Sequence, residues 1–482
     1  ELKAKEIFIS GFYYPIITIV KDSLKIIFTN IVKIFNRNFM RKYLLILAYF
    51  FLISMTASAQ WSTATVQSAR SLLAATSIQD KAMFGGGIGM ISVPPPALDI
   101  YTQSTNQWQQ SQISQGRTSL AAASTGNWAI FGGGANDWIL STYNRVDIYN
   151  GTVGSWTNGD FLSVNRAKLA AAGAGSKILF AGGEFDMINA VYDTVDIFDT
   201  LTQSWTTSAL SVARFNLAGV SAGNKILFAG GENFSGNTYD NVDIYDVTTG
   251  TWTTANLSVP RSRLAATSMG NKIYFGGGIN NIGVVSNVVD IYDVVSNTWT
   301  TDTLSQARQY LTAAATMGKV FFAGGTDAGL ATGSNVVDIF DTATATWSID
   351  SLTTGRYFCA ATALGTQFLI SGGLPDNSGF PINTVEIYTI TSSGLAPIET
   401  SKTLSVYPNP ASQKVVIKNN GFQPGDVINI SDVMGKQVLS LKISKNETVA
   451  DISSLSNGIY FVQLSSVSEN FTSKSQKIII QH

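Results

Sequence analysis

From Trp61 onward, short apolar runs alternate along the chain with clusters of Gly, Asn, Ser and Asp, and no stretch holds a helical period. Runs of four to six residues rich in Val, Ile, Tyr and Thr, bounded by such clusters, are strand signals. They come in sets of four, as in Leu264–Ser268, Lys272–Phe275, Val289–Tyr292 and Thr298–Thr301. The sets recur. KILFAGGE stands at Lys177–Glu184 and again, letter for letter, at Lys225–Glu232, 48 residues later. Neither copy continues into a phosphate-binding glycine signature, so the pattern is a repeat rather than a nucleotide loop.

Four landmarks carry the repeat. Tryptophan returns every 47–49 residues, at Trp61, Trp108, Trp156, Trp205, Trp252, Trp299 and Trp347. Arginine returns in step at Arg70, Arg117, Arg166, Arg214, Arg261, Arg308 and Arg356. Each arginine is followed by a Gly-Gly pair, from Gly86-Gly87 to Gly372-Gly373, and by an acid-Ile-aromatic triplet, from Asp99-Ile100-Tyr101 to Glu386-Ile387-Tyr388. Four strands per unit of about 50 residues predict the blades of an all-β propeller. The series opens on a tryptophan and ends on a triplet without one. A seventh blade made of three C-terminal strands and one N-terminal strand satisfies both ends and leaves no strand edge exposed.

The Gly-Gly pair, the triplet aromatic and a Trp with six residues between them (Tyr245 to Trp252) resemble the Kelch family across residues 60–394. The Asp-box of sialidase propellers, with Asp five residues before Trp, does not fit, because Asp246 and Trp252 are six apart. Residues 403–482 form a second region of alternating strands with Asn-Gly and Met-Gly turns, which predicts a small Ig-like β-sandwich after a linker at 395–402. Its Tyr407-Pro408-Asn409-Pro410, Gly435, Asn457-Gly458 and Tyr460 resemble the type IX (Por) secretion sorting domain of Bacteroidetes, type A. That resemblance implies the type IX machinery as a partner and delivery to the cell surface or medium.

Residues 40–59 read as a signal peptide: Arg41 and Lys42, an apolar stretch too short to span a membrane, then Ala57-Ser58-Ala59. Residues 1–39 are expected to lie outside the mature protein. The net charge of −1 hides an asymmetry, since residues 1–59 hold eight of the 31 Lys/Arg but three of the 32 Asp/Glu, leaving −6 for the remainder. An acidic chain without a basic run argues against nucleic acid as a partner.

One histidine, His482, and one cysteine, Cys359, limit the chemistry. Kelch-type enzymes such as galactose oxidase use copper, which needs imidazole or thiolate ligands, and one of each is too few. The same shortage removes Ser-His-Asp and Cys-His catalysis and histidine-held zinc, so no cofactor or metal is expected. Cys359, in an apolar run, reads as a buried thiol. Carboxylate catalysis needs two acids in a cleft. The acids outside the repeat lie mainly between second and third strands, as Asp137, Glu184, Asp186, Asp240, Asp327 and Asp376 do, which keeps a polysaccharide hydrolase or lyase as the alternative.

The repeated arginines, glycines and acids all fall at one face of the blades, where seven arginines match seven acids and predict structural pairs. The connections between second and third strands share that face and differ most between repeats. Trp138, Tyr143, Phe185, Asp186, Tyr192, Phe234 and Tyr239 lie there, and aromatics beside Asp and Asn suit recognition of a glycan or protein. The expected function is therefore a secreted or surface binding propeller.

Overall fold

The computed structural model describes residues 61–90, 93–136, 141–390, 403–420, 426–432, 436–443, 447–466, 471–472 and 476–482. The signal-peptide and residue 1–39 expectations, Asp137, Trp138 and Gly435 lie outside these residues. The chain divides into two compact units between Thr391 and Ser392. None of the helices among the described residues is long and apolar enough to cross a membrane.

Seven four-stranded antiparallel sheets build the first unit. One blade shows how the sequence becomes structure. Ala170–Ala174, Lys177–Ala181, Thr194–Asp199 and Ser204–Ala209 pair in that order, innermost strand first. Small residues fill the innermost strands because the blades crowd together toward the axis. The second strand is buried on both sides between neighbouring blades, and Ile178, Leu179 and Phe180 show no exposure. The outer strand alternates exposed and half-buried residues, its tryptophan lying on the triplet aromatic, as with Trp205 and Phe198 at 5.1 Å.

Closure joins the two ends of the repeat series. Trp61–Thr65 pairs antiparallel with Thr384–Thr389, Trp61 opposite Tyr388, completing the blade that begins at Ala360. Trp61 Nε1 donates to Asp350 of the preceding blade at 2.9 Å. Trp347 does the same to Asp302 at 2.7 Å.

The Gly-Gly pairs are docking points between blades. The second glycine of each pair donates its N–H to the carbonyl of the next blade's arginine, seven times around the ring, including Gly183 to Arg214 at 2.9 Å and Gly373 back to Arg70 at 2.8 Å. Both glycines have positive φ, 65° and 110° at Gly182 and Gly183. A Cβ on Gly182 would stand 2.5 Å from the Arg214 carbonyl oxygen. Only glycine meets both demands, which accounts for the glycine landmark.

In the second unit, Thr403–Tyr407, Lys414–Asn420 and Glu447–Asp451 form one sheet. The other runs Gln437–Lys442, Val427–Asp432, Gly458–Ser466, with Phe471–Thr472 and Gln476–Ile480 both paired to Gly458–Ser466. Val415, Ile417, Ile428, Ile430, Val462 and Ile478 form its core. The asparagines of the sorting-like motifs hold the last strand: Asn409 Oδ1 accepts from Ile479 N–H and Asn457 Oδ1 from His482 N–H, both at 2.8 Å. Tyr460 donates its hydroxyl to Ser456 O at 3.0 Å, and Tyr407, beside Pro408 and Pro410, lies under Lys418.

Candidate functional site

Each repeated arginine is buried and paired with the acid of its own triplet: Arg70–Asp99, Arg117–Asp147, Arg166–Asp196, Arg214–Asp243, Arg261–Asp290, Arg308–Asp338 and Arg356–Glu386. The second carboxylate oxygen of Asp243 accepts Ser211 N–H, at the end of the preceding blade, at 2.9 Å, and the same bond recurs at Asp290 and Asp338. Burial pushes all seven arginines below their usual value against the pull of the acids, Arg308 to about 10. These groups are engaged in holding each blade together and in joining it to the preceding one.

Two residues after each arginine the chain does something else. Leu72, Ser119, Lys168, Asn216, Arg263, Tyr310 and Phe358 all take left-handed backbone, with φ from 52° to 58°. Their N–H groups donate around the axis, Ser119 to Leu72, Lys168 to Ser119, Asn216 to Lys168, Arg263 to Asn216 and Tyr310 to Arg263, at 2.9–3.0 Å. None of the seven is β-branched, as a positive φ requires. The turn delivers one side chain per blade to the mouth of a cavity of about 490 Å³ on the axis. Its inner wall is the next residue of each repeat, Leu73, Leu120, Leu169, Leu217, Leu264 and Leu311, with Cys359 in the seventh place.

The mouth is divided by polarity. Ser119, Lys168, Asn216 and Arg263 come from four consecutive blades; Tyr310, Phe358 and Leu72 come from the other three. Buried acids hold the polar arc. Glu184 pairs with Lys168 at 3.1 Å, and Glu232 accepts from Asn216 at 2.6 Å and from Arg263 at 2.9 and 3.2 Å. These are the final residues of the two KILFAGGE copies. On the other arc, the Tyr310 and Phe358 rings lie 4.2 Å apart, and the Arg263 guanidinium stands 5.1 Å over Tyr310. Burial, with help from Glu232 and against Arg263, pushes the Tyr310 phenol up to about 12.

Of the described loop residues singled out from sequence, Asp186 lines this cavity. Phe185 faces a separate hollow of about 40 Å³ with Met187. Tyr143, Tyr192 and Tyr239 occupy one repeat position, each donating N–H to the second glycine of its blade and accepting from the next arginine, as in Tyr192 to Gly183 at 2.9 Å and Arg214 to Tyr192 at 3.2 Å. Phe234 packs on Phe215 at 5.0 Å and stays 37% exposed. Among the unrepeated acids, Asp240, Asp327 and Asp376 accept bonds from Asn256, Gly329 and Ser378 close by in their own blades. Cys359 is half-buried at the cavity wall rather than enclosed in a strand, because it precedes Ala360–Leu364; burial pushes its thiol up to about 11. The ring at the mouth escaped the sequence reading. Its one signal is a variable position, free of β-branched residues, inside an otherwise uniform run.

Residues 168–373 match the model of the KLHDC2/KLHL20/DRC7 Kelch-repeats domain, and residues 405–481 match that of the secretion system C-terminal sorting domain. A solved structure titled "Structure of YjhT" aligns with a TM-score of 0.46 at 15% identity, over 57% of this chain and 95% of its own. No curated protein matches the chain.

Proposed function

We propose that this chain, a Kelch-type seven-bladed propeller joined to a type IX sorting domain, is a binding protein that takes its ligand at the mouth of the central cavity. The sorting domain directs it to the cell surface or medium. One observation carries the reading: the repeated polar groups are engaged between blades, whereas the variable ring presents seven different side chains on a backbone locked by circumferential hydrogen bonds. A rigid mouth loses little conformational entropy when a ligand enters, which is what preorganisation contributes to affinity. The ligand is a glycan or a protein group; Phe234, 37% exposed, extends the contact outward, and Trp138 is added to it from the sequence alone.

Retention of the intact chain on insoluble polysaccharides and on immobilised surface proteins tests this. Phe358→Asn with Leu72→Asn places at those turns the residue that already occupies the equivalent turn at Asn216. Retention should fall at least tenfold while the melting temperature moves by no more than a few degrees. Retention that survives this change but disappears with Phe234→Ala and Trp138→Ala would move the site to the loop tips. Release of reducing ends or unsaturated sugars would establish the carboxylate-dependent enzyme instead.

A further inference from the structure

The cavity mouth has a chemistry more specific than binding in general, and the following rests on the placement of the ligand there. We infer that the mouth holds an uncharged pyranose ring, one apolar face of the sugar against Phe358 and Leu72 and its hydroxyls toward the arc from Ser119 to Arg263.

Three observations lead to it. First, the polarity is segregated rather than mixed. A contiguous apolar arc opposite a contiguous polar arc matches a ligand with one C–H face and an edge of hydroxyls, and aromatic rings suit such faces. Tyr310 sits at the seam, wedged between Arg263 and Phe358, where a phenol held protonated up to about pH 12 serves as a hydrogen-bond donor. Second, the cations at the mouth are already neutralised from below. Lys168 and Arg263 rest on Glu184 and Glu232, which are 2% and 8% exposed, while Asp186 adds a negative charge at the rim. The five charges leave the mouth at −1, which favours an uncharged ligand over a carboxylate or phosphate. The pinned cations still offer N–H donors in fixed directions, and planar side chains held by ion pairs discriminate hydroxyl positions well. Third, about 490 Å³ falls within the range of small-molecule sites, roughly 300–1,000 Å³. A ring of leucines lines the inner side and adds apolar surface for the C–H groups of the sugar.

The test uses the intact chain and defined probes: the methyl pyranosides of glucose, galactose, mannose and N-acetylglucosamine, with methyl glucuronide as the anionic counterpart, followed by saturation-transfer NMR. Single sugar rings bind weakly, so dissociation constants of about 1–10 mM are expected for at least one neutral probe. Methyl glucuronide should bind at least tenfold more weakly than methyl glucoside. Tyr310→Phe should weaken the best probe about tenfold, and Phe358→Asn should abolish its signal. Cys359 gives a second reading. It is the sole thiol of the chain and lines the same cavity, so a bound pyranoside should slow its reaction with a small methanethiosulfonate reagent.

An anionic probe that binds as tightly as its neutral partner overturns the inference. So does the absence of binding by every pyranoside, with a surface protein instead captured in a way that Phe358→Asn abolishes; the mouth then remains the binding site and only the ligand class fails. Pyranoside binding untouched by Phe358→Asn and without protection of Cys359 overturns the placement itself.

Discussion

At the scale of single residues, the mouth of the propeller stores backbone strain where it presents its side chains. Left-handed φ at a non-glycine residue costs of order 1 kcal/mol, and here the cost recurs at seven turns from Leu72 to Phe358. The circumferential N–H to C=O bonds hold these turns, so removing the left-handed preference at one of them should be felt as stability. Asn216→Val, which adds β-branching at φ 53°, should lower unfolding free energy by about 1–3 kcal/mol in denaturant titration, whereas Asn216→Gly should lower it by less than about 1 kcal/mol despite losing the bond to Glu232. Tyr310 makes a separate pH prediction. Its folded pKa of about 12 lies above the ordinary 10, so the folded state binds the proton more tightly. The stabilisation is complete below pH 10 and is lost as the pH rises from 10 through 12. The phenolate absorbance of Tyr310→Phe, subtracted from that of the natural protein, should therefore show a step near pH 12.

The strand is the next scale, and the closing strand is the one whose contribution can be isolated. Trp61–Thr65 makes five register pairs with Thr384–Tyr388, and the next apolar residue, Val66, is buried. Trp61 itself is half-buried, between Tyr388 at 5.0 Å and Asp350. Truncating a fully buried aromatic costs about 3–5 kcal/mol, so Trp61→Ala should cost about 2 kcal/mol. Deleting residues 60–66 should cost several times that, because the Thr384–Thr389 strand becomes an exposed edge. An unchanged melting temperature in the deletion would contradict the observed closure.

For the whole molecule, the two units have separate cores, one made of clusters packed between neighbouring blades and one among Val415, Ile428, Val462 and Ile478. Separate cores make separate functions separable. Removing residues 403–482 should leave the propeller folded, with an unaltered thermal transition, yet keep it from the cell surface and medium. Normal extracellular amounts of the truncated protein would show that export does not depend on the sorting domain.

Much of this protein can be read from its chain because its structure is periodic. Seven returns of Trp, Arg, Gly-Gly and the acid triplet specify seven blades, and the unmatched Trp61 and Tyr388 specify how they close. The pairing of arginine with acid was legible for the same reason, since equal counts at one face of each blade leave each charge one nearby partner. Tertiary structure alone decided the candidate site. Residues two past each arginine stand 47–49 apart in the chain and meet on the axis only when the ring closes, so neither their neighbourhood nor the division into polar and apolar arcs exists in any local window. The loop tyrosines combine the two: Tyr143, Tyr192 and Tyr239 are expected from sequence as recognition residues, and the tertiary structure adds that their backbones form one repeated blade junction, a role that leaves their side chains to the loop face. Periodicity determines what each blade must contain, whereas a site shared among blades is made by what differs between them, and only closure brings those differences together.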